Sequence, residues 1–310
     1  MYINATGYYI PATGITNDHF TKVNGTSGDW TLQKAGIRSR SGSSEEETMN
    51  YMCAEAVKNA LPKLSYNINE VDLIIFASCT PAGTIATAGH FIQREYNIPD
   101  AKVFHIYSDC SSAISAMEII YSFFSSQIAS KALLVCADRN STYPDDADCI
   151  SGPLRGNGAV ACFFSGATCT GKDSLVIDIT SRGLGHAGIS PDFENAESQM
   201  PYGKDAFMHA CNYISRNTKD IVENNGYSLD KLSYFVGHQA NTEILKNVTE
   251  RLGLRDDVIL SDMEDSGDTG FAGALLVYAR NTDKFQSGDL ICLSVFGGGY
   301  STGACLLKML

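Results

Sequence analysis

The chain has 310 residues, 44% of them hydrophobic and 19% charged, enough for one large domain or two of about 150 residues each around a substantial core. Its formal net charge of −12 argues against a nucleic-acid-binding face, which is usually basic, while a small basic mouth for an anionic ligand stays compatible with it. No run of about 18 apolar residues occurs, and Met1-Tyr2-Ile3-Asn4-Ala5 has neither a basic nor a long apolar region, so no membrane span or secretory signal is expected and the chain reads as cytoplasmic.

Residues 16–40 look polar and irregular. Residues 71–77 (VDLIIFA) predict a buried strand, 89–96 part of a helix, 102–107 (KVFHIY) a strand, and 111–125 a helix rich in Ala, Ile, Met and Phe. Residues 131–137 (KALLVCA) and 159–164 (AVACFF) predict two strands that pair. These strands are too apolar to face water on either side, which is α/β patterning. The order then recurs: strand 232–236, helix 242–252, short strand 258–260, a glycine-containing turn 266–270, helix 271–280, strand 289–295, a Gly-rich turn and strand 303–308. Two similar halves follow, 1–170 and 171–310, with Cys110 and Asp268 at equivalent places before their helices. Ligand sites in such sheets gather at strand ends and helix N-termini.

There are ten cysteines, scattered and without a Cys-x-x-Cys pair, so no zinc site is expected and most read as buried thiols in a reducing compartment. Cys110, in Ser108-Asp109-Cys110-Ser111-Ser112, differs because it joins a strand to a helix. Unpaired N–H groups and the helix dipole there should lower the thiol pKa, make a good nucleophile, and hold the oxyanion of an acyl intermediate. The ordinary alternative is a small residue fitting a tight turn. His238 ends a buried strand, where an imidazole serves as a base, an oxyanion donor, or a structural group. Asp268 is by default a helix cap; by the internal alignment it opens onto the same cleft, and beside His238 it would hold the imidazole and raise its basicity. Gly297-Gly298-Gly299 is either a tight turn or a strip of N–H groups completing an oxyanion hole.

Together these residues resemble the β-ketoacyl-acyl-carrier-protein synthase III family. The resemblance lies in Cys110 at a helix start, Gly-His238-Gln-Ala-Asn241, the Gly-x-Thr turn, and the C-terminal Phe-Gly-Gly-Gly-Tyr. It extends to Trp30-Thr-Leu-Gln-Lys34-Ala-Gly-Ile-Arg-Ser-Arg40, similar to the family's Trp-x-x-x-Arg-x-Gly-Ile-x-x-Arg segment. It implies a thiolase fold, five layers α-β-α-β-α from two duplicated halves, usually as a homodimer. It implies a ping-pong acyltransferase in which acyl-CoA or an acyl-carrier protein is the donor, with no separate cofactor or metal. Cys110 would carry the acyl group, with the N–H groups of Cys110 and Gly298 as oxyanion hole. Trp30, Lys34, Asn241 and Gly83 would bind substrate, Trp30 beside the CoA adenine.

The departures from the family are informative. Its Asn in the Gly-Asn-Thr turn is Asp268 here, and an ionised Asp accepts hydrogen bonds but donates none, so it would repel an enolate. With His238 it would suit proton removal from an alcohol or amine. Ser111-Ser112 replaces Ala-Gly, Lys34 replaces an Arg and loses its fork, and Gly83 in Thr80-Pro81-Ala82-Gly83-Thr84 suggests a wider acyl pocket. Together they point to a specialised fatty-acid or polyketide-type pathway. Decarboxylating condensation and transfer to oxygen or nitrogen both stay open. A non-catalytic partner subunit and a redox thiol are further alternatives, the last disfavoured because no resolving cysteine lies near in sequence.

Overall fold

Continuous apolar runs form strands that must be covered on both faces. The computed structural model describes residues 1–80, 86–140, 149, 152–187 and 203–310. The first part of the chain contains β1 (Tyr2–Tyr9), β2 (Thr13–Thr16), α1 (Asn17–Val23), α2 (Gly28–Ala35), β3 (Ser39–Gly42), α3 (Met49–Ala60), β4 (Leu73–Ala77), α4 (Ala88–Glu95), β5 (Lys102–Ile106), α5 (Ser112–Ser125), β6 (Lys131–Arg139) and β7 (Asn157–Ser165). It continues with β8 (Ser174–Gly183), α6 (Gly203–Asn224), β9 (Tyr234–Gly237), α7 (Thr242–Leu252), α8 (Met263–Ser266), α9 (Gly273–Asn281), β10 (Leu290–Gly297) and β11 (Ser301–Met309).

Among the described residues a nine-stranded sheet runs β5-β4-β6-β7-β1-β8-β11-β10-β9. β4 is parallel to β5 and β6, whereas β6–β7 and β7–β1 are antiparallel. The second half follows the same plan, with β9–β10 parallel and β10–β11 and β11–β8 antiparallel. Ile259, bridged to Phe235 of β9, stands where β5 stands in the first half. The two sets join through the pairs Tyr2↔Leu175 and Ile3↔Ser174. Residue 170 lies in the turn between β7 and β8, where Asp173 accepts from the N–H groups of Cys169 and Thr170.

Strand alternation sets the layers. On β4, Leu73, Ile75 and Ala77 face a core shared with α5 and α9, while Ile74 and Phe76 face α3 and α4. On β10, Ile291, Leu293 and Val295 face the same central core, while Leu290, Cys292 and Phe296 face α6 and α7. Each central helix touches both strand sets: α5 packs on β4, β6, β8 and β11, and α9 on β1, β7, β9 and β10. The result is the five-layered α-β-α-β-α thiolase fold. Each fully buried large apolar side chain contributes about 1.5–3 kcal/mol, so α5 and α9 are anchored from both sides and their N-termini are fixed points.

Two expectations change. Residues 16–40, read as irregular, contain α1 and α2; Ser27 accepts from the Trp30 N–H at the start of α2, and Gly36 ends it at φ +70°. Trp30 and Leu32 of α2 are exposed, so its apolar periodicity is weak. β5, read as covered on both faces, is a sheet edge that exposes Lys102, Phe104 and His105.

Candidate active site

Cys110 lies between β5 and α5 and is half-buried. Its turn is fastened by serines. Ser111 Oγ donates to Ser108 O at 2.7 Å and lies 2.7 Å from Ser301 Oγ, which donates to Ser108 O at 2.9 Å. Ser112 Oγ donates to Asp109 O at 2.6 Å and accepts from Ser108 N at 2.7 Å. The hydroxyls that depart from the family's Ala-Gly thus hold the Cys110 turn. Asp109 takes the left-handed region at φ 50°, and the Cys110 Sγ donates to its Oδ1 at 3.7 Å. The expected lowering of the thiol pKa is overturned: burial pushes Cys110 well above its ordinary value, and Asp109 and Asp268 push it the same way. Desolvation and negative neighbours both disfavour the thiolate.

The Gly297–Tyr300 turn sits against this residue. A side chain at Gly297 would come within 3.0 Å of Asp109 Cβ and 3.1 Å of Cys110 N, so only glycine permits the approach. Gly298, next in that turn, is half-buried, and its N–H is directed at the Asp109 carboxylate.

His238 follows β9 and is buried, which lowers its pKa to about 4. At neutral pH it is therefore an uncharged imidazole, with one N–H to donate and one nitrogen to accept. Its loop is held by Gln239, buried beside it, whose Nε2 donates to Gly237 O at 2.8 Å and whose Oε1 accepts from Ser261 Oγ at 2.9 Å. Asn241, expected at the substrate, caps α7, its Oδ1 accepting from Glu243 N at 2.8 Å.

Asp268 is half-buried beside Arg155, its partner in a parallel bridge. Asp268 N donates to Leu154 O at 2.7 Å and Gly156 N to Asp268 O at 2.8 Å. The carboxylate does not hold His238. Its Oδ1 accepts from Gly270 N at 2.9 Å, and burial alone moves the histidine. That corrects the expected His–Asp pair: the carboxylate turns back along its own chain, where a backbone donor satisfies it. Burial pushes Asp268 up to about 6, opposed by the Gly270 N–H, raised by Asp138 and Asp109, and lowered by Arg155.

Asp138, at the end of β6 and fully buried, went unnoticed in the sequence. Its Oδ1 accepts from Cys79 N at 2.8 Å, Ser78 Oγ at 3.0 Å and Thr80 Oγ1 at 3.1 Å, and its Oδ2 from Phe271 N at 2.7 Å. It ties the loop after β4 to the turn before α9. The signal was present in Leu-Val-Cys-Ala-Asp138, an acid ending an apolar run, which only partners elsewhere can tolerate. Trp30, 45% exposed, and Lys34, also exposed, stand on α2, which packs against α7 just beyond His238. Gly83 lies outside the described residues. Among the described residues no group of three or more His, Cys, Asp or Glu side chains could hold a metal ion, and no helix is long and apolar enough to cross a membrane.

Known proteins share this fold. Residues 104–183 match the 3-oxoacyl-[acyl-carrier-protein] synthase III family, and residues 222–309 match its C-terminal region. The β-ketoacyl-[acyl-carrier-protein] synthase III of Ehrlichia ruminantium is 30% identical over 316 residues, covering 98% of this chain and 97% of the relative. That of Neisseria gonorrhoeae is 28% identical, covering 99% and 98%. The crystal structure of 3-oxoacyl-[acyl-carrier-protein] synthase III from Aquifex aeolicus superposes with a TM-score of 0.91 at 27% identity over 99% of both chains. The priming β-ketosynthase of the R1128 polyketide pathway shares the fold, at TM-score 0.87 and 24% identity over 99% of this chain and 95% of that one. With two family regions in order and a relative aligned almost end to end, the chain belongs to the β-ketoacyl-[acyl-carrier-protein] synthase III family.

Proposed function

We propose that the protein takes an acyl group from acyl-CoA or an acyl-carrier protein onto Cys110 and passes it to a carbon nucleophile formed by decarboxylation of a malonyl thioester. The observation that carries this reading is the half-buried Cys110 thiol at the start of a central helix, with the Gly297–Tyr300 turn packed against its backbone. The N–H groups of Cys110 and Gly298 are the oxyanion donors of this scheme. Neutral His238 donates to the developing enolate, and Trp30 and Lys34 on exposed α2 receive the carrier of the acyl chain. A second copy of the chain pairs along the open edge of β5, where Phe104 is 42% and Tyr107 66% exposed.

Asp268 decides the second step. In its acid form, favoured below about pH 6, the carboxyl donates a hydrogen bond as an amide would. Ionised, it only accepts, and it favours the second reading, transfer to an alcohol or amine whose proton it takes. His238 stays neutral down to about pH 4, so both donors coexist between about pH 4 and pH 6. Release of labelled carbon dioxide from malonyl-carrier protein, by enzyme already loaded with acyl group, is expected to be greatest in that window. At pH 7 only about a tenth of Asp268 is protonated, so Asp268→Asn raises release there about tenfold. Acyl product formed with no carbon dioxide at any pH would overturn condensation and leave transfer to oxygen or nitrogen.

A further inference from the structure

The carboxylate beside the nucleophile is unused by that scheme. Asp109 immediately precedes Cys110, and the thiol's hydrogen bond is to its Oδ1 at 3.7 Å. The backbone N–H groups of Gly298, Cys110 and Gly299 are loosely directed at the same carboxylate. Asp109 therefore stands over the two donors assigned to the oxyanion hole. Its φ of 50° is a strained one for an aspartate, and the nearby Ser111, Ser112 and Ser301 hydroxyls maintain the turn that imposes it.

We propose that Asp109 is the base that takes the Cys110 proton during acyl loading, and that this transfer also frees the oxyanion hole. The inference rests on Cys110 as acyl carrier. The Asp109 carboxylate accepts the proton, leaving a carboxylic acid and a Cys110 thiolate. The thiolate forms a carbon–sulfur bond to the thioester carbonyl. Neutral Asp109 attracts the Cys110 and Gly298 N–H groups less, so they turn to the new oxyanion. When the tetrahedral intermediate collapses, the bond to the CoA sulfur breaks, and that sulfur takes the proton back from Asp109. The carboxylate is restored and no other reactant is needed. A base is required because the thiol is held in its protonated form by burial and by Asp109, Asp268, Cys79 and Asp138 around it. Among the described residues, the titratable groups that act on Asp109 are Cys110, Cys79, Tyr107 and Asp268, and none of these is a cation that competes for its charge.

The test follows loading by rapid quench and intact-protein mass, using whichever of acetyl-, butyryl- and octanoyl-CoA loads wild type fastest. Asp109→Asn is expected to slow loading about 10²-fold or more. Its rate should keep rising tenfold per pH unit with hydroxide, whereas wild type levels off once Asp109 is ionised. Asp109→Gly suits the left-handed backbone and guards against misfolding; it should be equally slow, and added formate should restore it. Loading by either variant as fast as wild type, or faster, would show that Asp109 only blocks the hole and would overturn the proposal. Slow loading with an unchanged pH profile and no effect of formate would overturn it too, in favour of a structural role. Absence of any Cys110 adduct on wild type would instead remove the acyl-carrier reading beneath it.

Discussion

The turns before the two central helices do equivalent jobs by different means. The turn before α5 is held by side chains, the hydroxyls of Ser111 and Ser112 and, from the other half, Ser301. The turn before α9 is held through its backbone: Gly267 and Gly270 take left-handed φ of 69° and 62°, and the Phe271 N–H reaches Asp138 in the first half. Each half supplies the fastening for the other's turn. The site thus depends on the assembled pair of halves, and Asp138, with partners on two loops, carries more of it than any one serine does.

That asymmetry can be broken in order of size. Asp138→Ala strands the buried donors of Ser78, Cys79, Thr80 and Phe271 and should cost about 3–5 kcal/mol in urea unfolding. A loss below about 1 kcal/mol would show that the second turn holds itself. Gly270→Ala places a methyl 2.2 Å from Asp138 Oδ2 at a left-handed φ; the backbone strain alone is about 1–3 kcal/mol, so melting should fall clearly below wild type. Ser301→Ala removes its contacts with Ser111 Oγ and Ser108 O but leaves Ser111 Oγ on Ser108 O and Ser112 Oγ on Asp109 O, and should cost only about 1 kcal/mol. An effect of Ser301→Ala as large as that of Asp138→Ala would erase the contrast between the turns.

Much of this was legible in sequence because it is local. The apolar runs at β4, β6, β7 and β10 gave the strands, the repeated order gave the duplicated plan, and a cysteine between strand and helix gave the candidate nucleophile. What escaped depends on distance in space. The thiol pKa was misjudged because the helix dipole can be read from chain order, whereas the burial that chiefly raises it, like the approach of Asp268, arises only through folding. The His238–Asp268 pair was expected because the internal alignment opened Asp268 onto the Cys110 cleft, but Gly270 two residues on satisfies the carboxylate first. The cap role of Asn241 at the start of α7 was not read from its place in the His-Gln-Ala-Asn segment. Asp109 lay in plain view beside Cys110; its direction is set by a backbone twist that no periodicity encodes.

The account turns on Cys110 carrying the acyl group. Incubation with acetyl-, butyryl- and octanoyl-CoA, followed by intact mass and peptide mapping, is expected to show one acyl adduct, on the peptide containing Cys110, and none with Cys110→Ala. No adduct from any donor, or an adduct that persists in Cys110→Ala, would contradict it.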